Sequence, residues 1–145
     1  MKQVIILTGL VAGVLDALGA IITFLIRGGK NPVKIFNFIA SGVLGDAGLK
    51  GGNGMAMAGL LFHLIIATIW TLLFFLVYPK IKSINWVTSG IAYGVVVWLG
   101  MNLIVVPLSR TPPLPFTFSG IVVGIIVLIL CIGLPIAYSA RKYFK

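Results

Sequence analysis

Carboxylates are nearly absent from this chain: its 145 residues include only two acids, Asp16 and Asp46, against eleven lysines and arginines. Both acids sit in apolar stretches, although a protein surface in water normally carries most of the carboxylates. Histidine and cysteine are equally scarce, with His63 and Cys131 the sole examples. A lone cysteine forms no internal disulfide, and this set of residues cannot build a three-residue, histidine-rich zinc site. No pair of carboxylates shares a segment, no Gly-x-Ser-x-Gly elbow appears, and no Gly-Lys-Ser/Thr sequence follows the glycines at 51–54. The expectation is a non-enzymatic protein with no catalytic residue, metal or cofactor. Charged residues make up only 9% of the chain, where soluble domains carry roughly 25%.

What is abundant is apolar: 60% of residues are hydrophobic and the mean hydropathy is +1.19. A soluble domain of this length could not bury so much apolar surface, so the bilayer is the natural solvent. The net charge of +9 would suggest nucleic acid in a soluble protein. Here the basic residues flank apolar segments, where they meet anionic headgroups and set orientation. Membrane lipids are therefore the expected partners, and nucleic acid is not.

Four segments are long enough to span, since a helix needs about 20 apolar residues to cross the hydrocarbon core. They are Val4–Ile26, Met55–Tyr78, Trp86–Val106 and Gly120–Ala140. The first has one basic residue before it, a central aspartate and no convincing cleavage site, so it reads as a retained helix. Tyr78, Trp86 and Tyr138 lie at segment ends, as interfacial anchors do. The stretch Ile35–Leu49 is apolar but short, and it is flanked by the breakers Gly28–Pro32 and Gly51–Gly54. It reads as a re-entrant or interfacial helix. With four spans, Lys2, Lys80, Lys82, Arg141, Lys142 and Lys145 face one side, and Arg27, Lys30, Lys34, Lys50 and Arg110 the other. A fifth span would sharpen that charge bias; length and glycine content favour four. The expected fold is all-α: a polytopic integral membrane helical bundle, one transmembrane domain over 1–145, with four transmembrane helices plus one short helix and the termini cytoplasmic.

Small residues recur at helical spacing, at Gly9, Gly13, Ala17 and Ala20, at Gly90 and Gly94, and at Gly120 and Gly124. Such faces let backbones approach closely, either to pack the bundle or to join copies in a homo-oligomer. The glycines at 51–54, beside Lys50, serve as a flexible turn or as an anion site at a helix start.

With the side holding both termini called the inside, Asp16 falls near mid-helix, and His63, Asn102, Asp46 and Arg110 fall in the outer half. These five are the candidate residues of an outward-facing polar cavity. Asp16 is its central carboxylate, His63 the titrating partner, Asn102 a hydrogen-bonding liner and Arg110 a mouth charge. A wet Asp–His pair can relay or sense protons, with Ser41, Thr68 and Thr71 adding hydrogen bonds. The same pair can instead satisfy itself or a backbone group and lock the bundle. Asp46, in Gly45-Asp46-Ala47-Gly48, can equally cap a helix or face water. The proline-rich Ser109–Pro115 forms a rigid external loop.

His63 in a helix, then Tyr78-Pro79-Lys80-Ile81-Lys82, Trp86, Pro107-Leu108 and Thr111-Pro112-Pro113 together resemble the YagU-like family of small bacterial inner-membrane proteins. The resemblance covers roughly residues 59–115. Members of that family are usually longer, with an external insertion where Ile35–Leu49 stands here. The resemblance implies a multi-span helical fold in the bacterial inner membrane and brings no catalytic residues. Two functions follow as expectations: proton or small-solute permeation or sensing through the cavity, and a structural or accessory membrane subunit that self-associates or binds a membrane partner. A lipid-modifying enzyme would need a nucleophile–base or metal set, which the sequence lacks.

Overall fold

The computed structural model describes residues 1–145, and every regular element in it is helical. The elements are α1 (Lys2–Ile26), α2 (Val33–Leu44), α3 (Asp46–Lys50), α4 (Gly52–Ile81), α5 (Trp86–Leu108) and α6 (Phe118–Tyr143). Helices α1, α4, α5 and α6 have 25, 30, 23 and 26 residues and are apolar enough to cross a bilayer. At about 1.5 Å per residue the shortest is roughly 35 Å long, enough for a hydrocarbon core of about 30 Å. The protein is a multi-pass membrane protein, an antiparallel bundle of four long helices. Leu7, Leu18, Leu61, Val77, Leu103 and Leu130 point outward and are exposed, which suits contact with lipid.

Local chemistry sets the helix boundaries. Asn85 precedes α5 and accepts from the Val87 amide at 2.8 Å, and Thr117 precedes α6 and accepts from the Gly120 amide at 3.1 Å. Each satisfies an amide that a helix start leaves unpaired. Both α5 and α6 contain a widened π turn, at Met101–Val105 and Ile129–Gly133. Each ends two residues before a proline, Pro107 or Pro135. Proline has no N–H to offer and clashes with the carbonyl four residues back. The preceding turn expands, and Val106 and Leu134 donate to the carbonyls five residues back, at Met101 and Ile129.

Glycines make the helix crossings. A Cβ on Gly9 would lie 2.6 Å from Thr68, and one on Gly13 would lie 2.9 Å from Leu64, so α1 rests directly on α4. Between α5 and α6, a Cβ on Gly133 would lie 2.1 Å from the Gly90 oxygen, and one on Gly94 2.6 Å from the Ile129 Cα. At these two crossings the glycine faces are filled by the facing helix of the same chain. Below the crossings, Phe74, Phe75 and Ile136 fill the end that carries both termini, here called the inner end, and Val97 and Ile132 continue that core at the level of the α5–α6 crossing. Tyr78 belongs to this core rather than to the interface: it is 3% exposed and packs against Phe74 and Phe144. Trp86 and Tyr138 do lie near the surface, under Arg141 and Lys142.

The short apolar segment is two helices. Gly45, at φ 60°, turns the chain between α2 and α3, a conformation that costs glycine little. The Asn37 amide then donates to the Gly48 and Gly52 carbonyls at 3.0 and 2.9 Å, joining the beginning of α2 to the start of α4. A segment whose two ends meet cannot cross. A Cβ on Gly59 would fall 1.8 Å from the Phe36 oxygen, so α2 lies tightly on the first half of α4. The Arg110 amide donates to the Gly42 carbonyl at 3.1 Å, which places the hairpin at the outer end. The glycines at 51–54 are not a free turn: only Gly51 precedes α4, and Gly52–Gly54 form its first turn. Single cysteines replacing Lys34 and Lys50 should both react with a membrane-impermeant thiol reagent from one face; labelling from opposite faces would mean that the hairpin crosses.

Candidate functional site: an outer cavity above Asp16

Asp16, Ala20, Thr23, Phe24 and Arg27 follow one stripe of α1, at successive spacings that a 3.6-residue turn places on one face. That face lines a cavity of about 430 Å³. Trp98 and Asn102, one turn apart on α5, line its opposite wall. Gly120, Val123, Gly124 and Val127 of α6 complete it, and Ile35 of α2 touches the rim. A second cavity of about 630 Å³ adjoins it beneath the proline loop and shares Arg27, Trp98, Asn102 and Gly120. Both volumes fall in the range of small-molecule sites, roughly 300–1,000 Å³. Both lie in the outer half of the bundle; a separate cavity of about 510 Å³, lined by Val4, Thr8, Tyr138 and Lys142, lies between α1 and α6 at the inner end.

Asp16 forms the floor. Its Oδ2 lies 3.6 Å from His63 Nε2, and the two side chains are only 17% and 15% exposed. That distance is a close polar approach, too long for a hydrogen bond. The hydrogen bond from His63 goes instead to the Gly13 carbonyl at 2.9 Å. A carbonyl can only accept, so Nε2 carries the proton in this bond. His63 thus stands behind Asp16, on the side away from the cavity.

Asn102 lies in the π turn of α5, and its amide donates to the Trp98 carbonyl at 3.0 Å. Trp98 is 9% exposed. Its indole N–H makes no hydrogen bond within the protein and opens onto the cavity, 2.8 Å from where a Gly124 Cβ would be. Arg27 stands at the mouth and donates to the Ser119 hydroxyl at 3.4 Å.

The remaining sequence candidates lie elsewhere. Asp46 is the exposed first residue of α3 and lines neither cavity. Arg110 is exposed beside Gly45 and lines neither cavity; its backbone, not its charge, holds the loop on α2. Ser41, Thr68 and Thr71 each donate to a carbonyl three or four residues back in their own helix, so they add nothing to the Asp–His pair. Cys131 is half-buried, and no three metal-ligating side chains converge.

Two cavity residues, Arg27 and Trp98, were not singled out by the sequence reading. Both carried a signal: Arg27 is eleven residues, three turns, beyond Asp16, and Trp98 is four before Asn102. Comparison of the chain with protein-family models, curated proteins and solved structures gives no match.

Proposed function

We propose that the protein binds a small solute or protons from the outer side of a bacterial inner membrane, with Asp16 as the acceptor at the cavity floor. The supporting observation is that Asp16, the one acid inside a spanning helix, faces a cavity on one side and a histidine on the other. An ionisable group at this depth costs about 2.5–3.5 kcal/mol by insertion scales, so it is ordinarily retained for a task. The Asp16 cavity shares no lining residue with the cavity at the inner end, which favours binding, sensing or gated permeation over an open pore. The protein is non-enzymatic on this reading. Its location rests on the YagU-like runs around His63 and Pro107, and its basic ends suit anionic lipid headgroups.

The second reading, an accessory subunit that self-associates or binds a membrane partner, draws on the His63–Gly13 bond, which ties α4 to α1 as a purely structural device would. Reconstituted vesicles separate the two. Asp16→Asn and His63→Ala abolish pH-dependent flux on the first reading. On the second they change stability or assembly alone.

A further inference from the structure

We infer that the outer cavity takes an elongated dipolar small molecule, its amine toward Asp16 and its anionic group at Arg27. This rests on the cavity reading above and names the class of ligand. Asp16 and Arg27 line one cavity, yet they do not pair with each other: the polar neighbour of Asp16 is His63, and Arg27 donates to a neutral hydroxyl. Eleven residues put their Cα atoms about 16 Å apart along α1. Helical side chains lean toward the N-terminus, which brings the guanidinium back over the cavity.

The mouth is built for an anion. Arg27 stands beside the start of α6, where the helix dipole adds positive potential. Thr117 satisfies the Gly120 amide, and the amides of Phe118 and Ser119 precede any intrahelical acceptor. Two adjacent sources of positive potential repel each other until an anion joins them. Between mouth and floor the wall is Phe24, Val123 and Val127, a lining for methylene groups. An independent observation points to an occupant as well. The Trp98 indole N–H is unpartnered on a side chain nine-tenths buried, and Gly124, lacking a Cβ, leaves it uncovered.

Calorimetric titration of the full chain in detergent tests this with ε-aminocaproate, hexylamine and caproate. Each analogue loses one charge-assisted hydrogen bond, so the dipolar compound should bind at least about tenfold more tightly than either single-charge analogue. Arg27→Gln should reduce ε-aminocaproate to the affinity of hexylamine, and Asp16→Asn to that of caproate. Arg27 is exposed at a helix end, so its variant keeps the fold and the test does not depend on Asp16 alone. Equal binding of all three compounds, binding of none, or an unchanged Arg27→Gln overturns the proposal. If it is overturned while Asp16→Asn still abolishes pH-dependent flux, only the ligand class is wrong. If that flux is also unaffected, the cavity reading falls too.

Discussion

Gly133→Leu should prevent α5 and α6 from docking and leave little folded protein. A Cβ there would lie 2.1 Å from the Gly90 oxygen and 2.9 Å from the Gly94 amide nitrogen, both backbone atoms of the facing helix. No side-chain rotation relieves such a clash; the helices must separate. Overpacking in a close-packed interior costs about 1–3 kcal/mol, and parting the two helices also exposes Ile132, Ile136 and Ala137. The apolar effect offers no compensation between helices in lipid, where packing itself supplies the attraction. Gly54→Ala is the matched control, because nothing lies within 4 Å of its would-be Cβ. It should keep or slightly raise the thermal midpoint, since alanine is favoured over glycine in a helix by about 1 kcal/mol. Melting curves in detergent check both; a Gly133→Leu midpoint near wild type would show that α5 and α6 do not approach as described.

Asp16→Asn and His63→Ala should remove pH-dependent flux altogether in reconstituted vesicles while the protein stays folded. Asparagine keeps the shape of Asp16 but cannot exchange a proton with the cavity. Alanine at 63 deletes the imidazole beside Asp16 and one bond to the Gly13 carbonyl. Interhelical hydrogen bonds in membranes average about 0.6 kcal/mol, so that loss alone should lower the thermal midpoint only slightly. The two readings therefore part by magnitude. A functional pair gives complete loss of flux with a small change in stability. An accessory role gives unchanged flux, with stability or assembly carrying the effect.

The four long helices were legible because a continuous apolar run longer than the bilayer core has few other solutions. Their depth order was legible too, which is why Asp16 and His63 could be placed near one another from the sequence. The hairpin at 33–50 was not. Its reversal depends on Gly45 at φ 60° and on Asn37 reaching two carbonyls eleven and fifteen residues away, and hydropathy does not report such bonds. Asn37 is the clasp of that hairpin. Asp46 and Arg110 were drawn toward the cavity by their position on the outer side, but side matters less than helix face. The face of α1 that carries Asp16 continues to Arg27, and counting turns rather than charges reveals it. Tyr78 was misread for a related reason: a tyrosine at a segment end points outward or inward according to its face, and here it faces Phe74. The small-residue stripes were legible as contact faces: Gly9, Gly13, Gly90 and Gly94 meet facing helices of the same chain, whereas Gly120 and Gly124 line the cavity.

Ala20 gives the most direct test of an outward-facing cavity above Asp16, since it lies one turn above that floor and lines the same wall. With Cys131 replaced by alanine, a cysteine at position 20 should react with a membrane-impermeant thiol reagent added from the outer side and resist the same reagent from the side of the termini. Reaction from the inner side, or from neither side in a folded protein, would contradict the account.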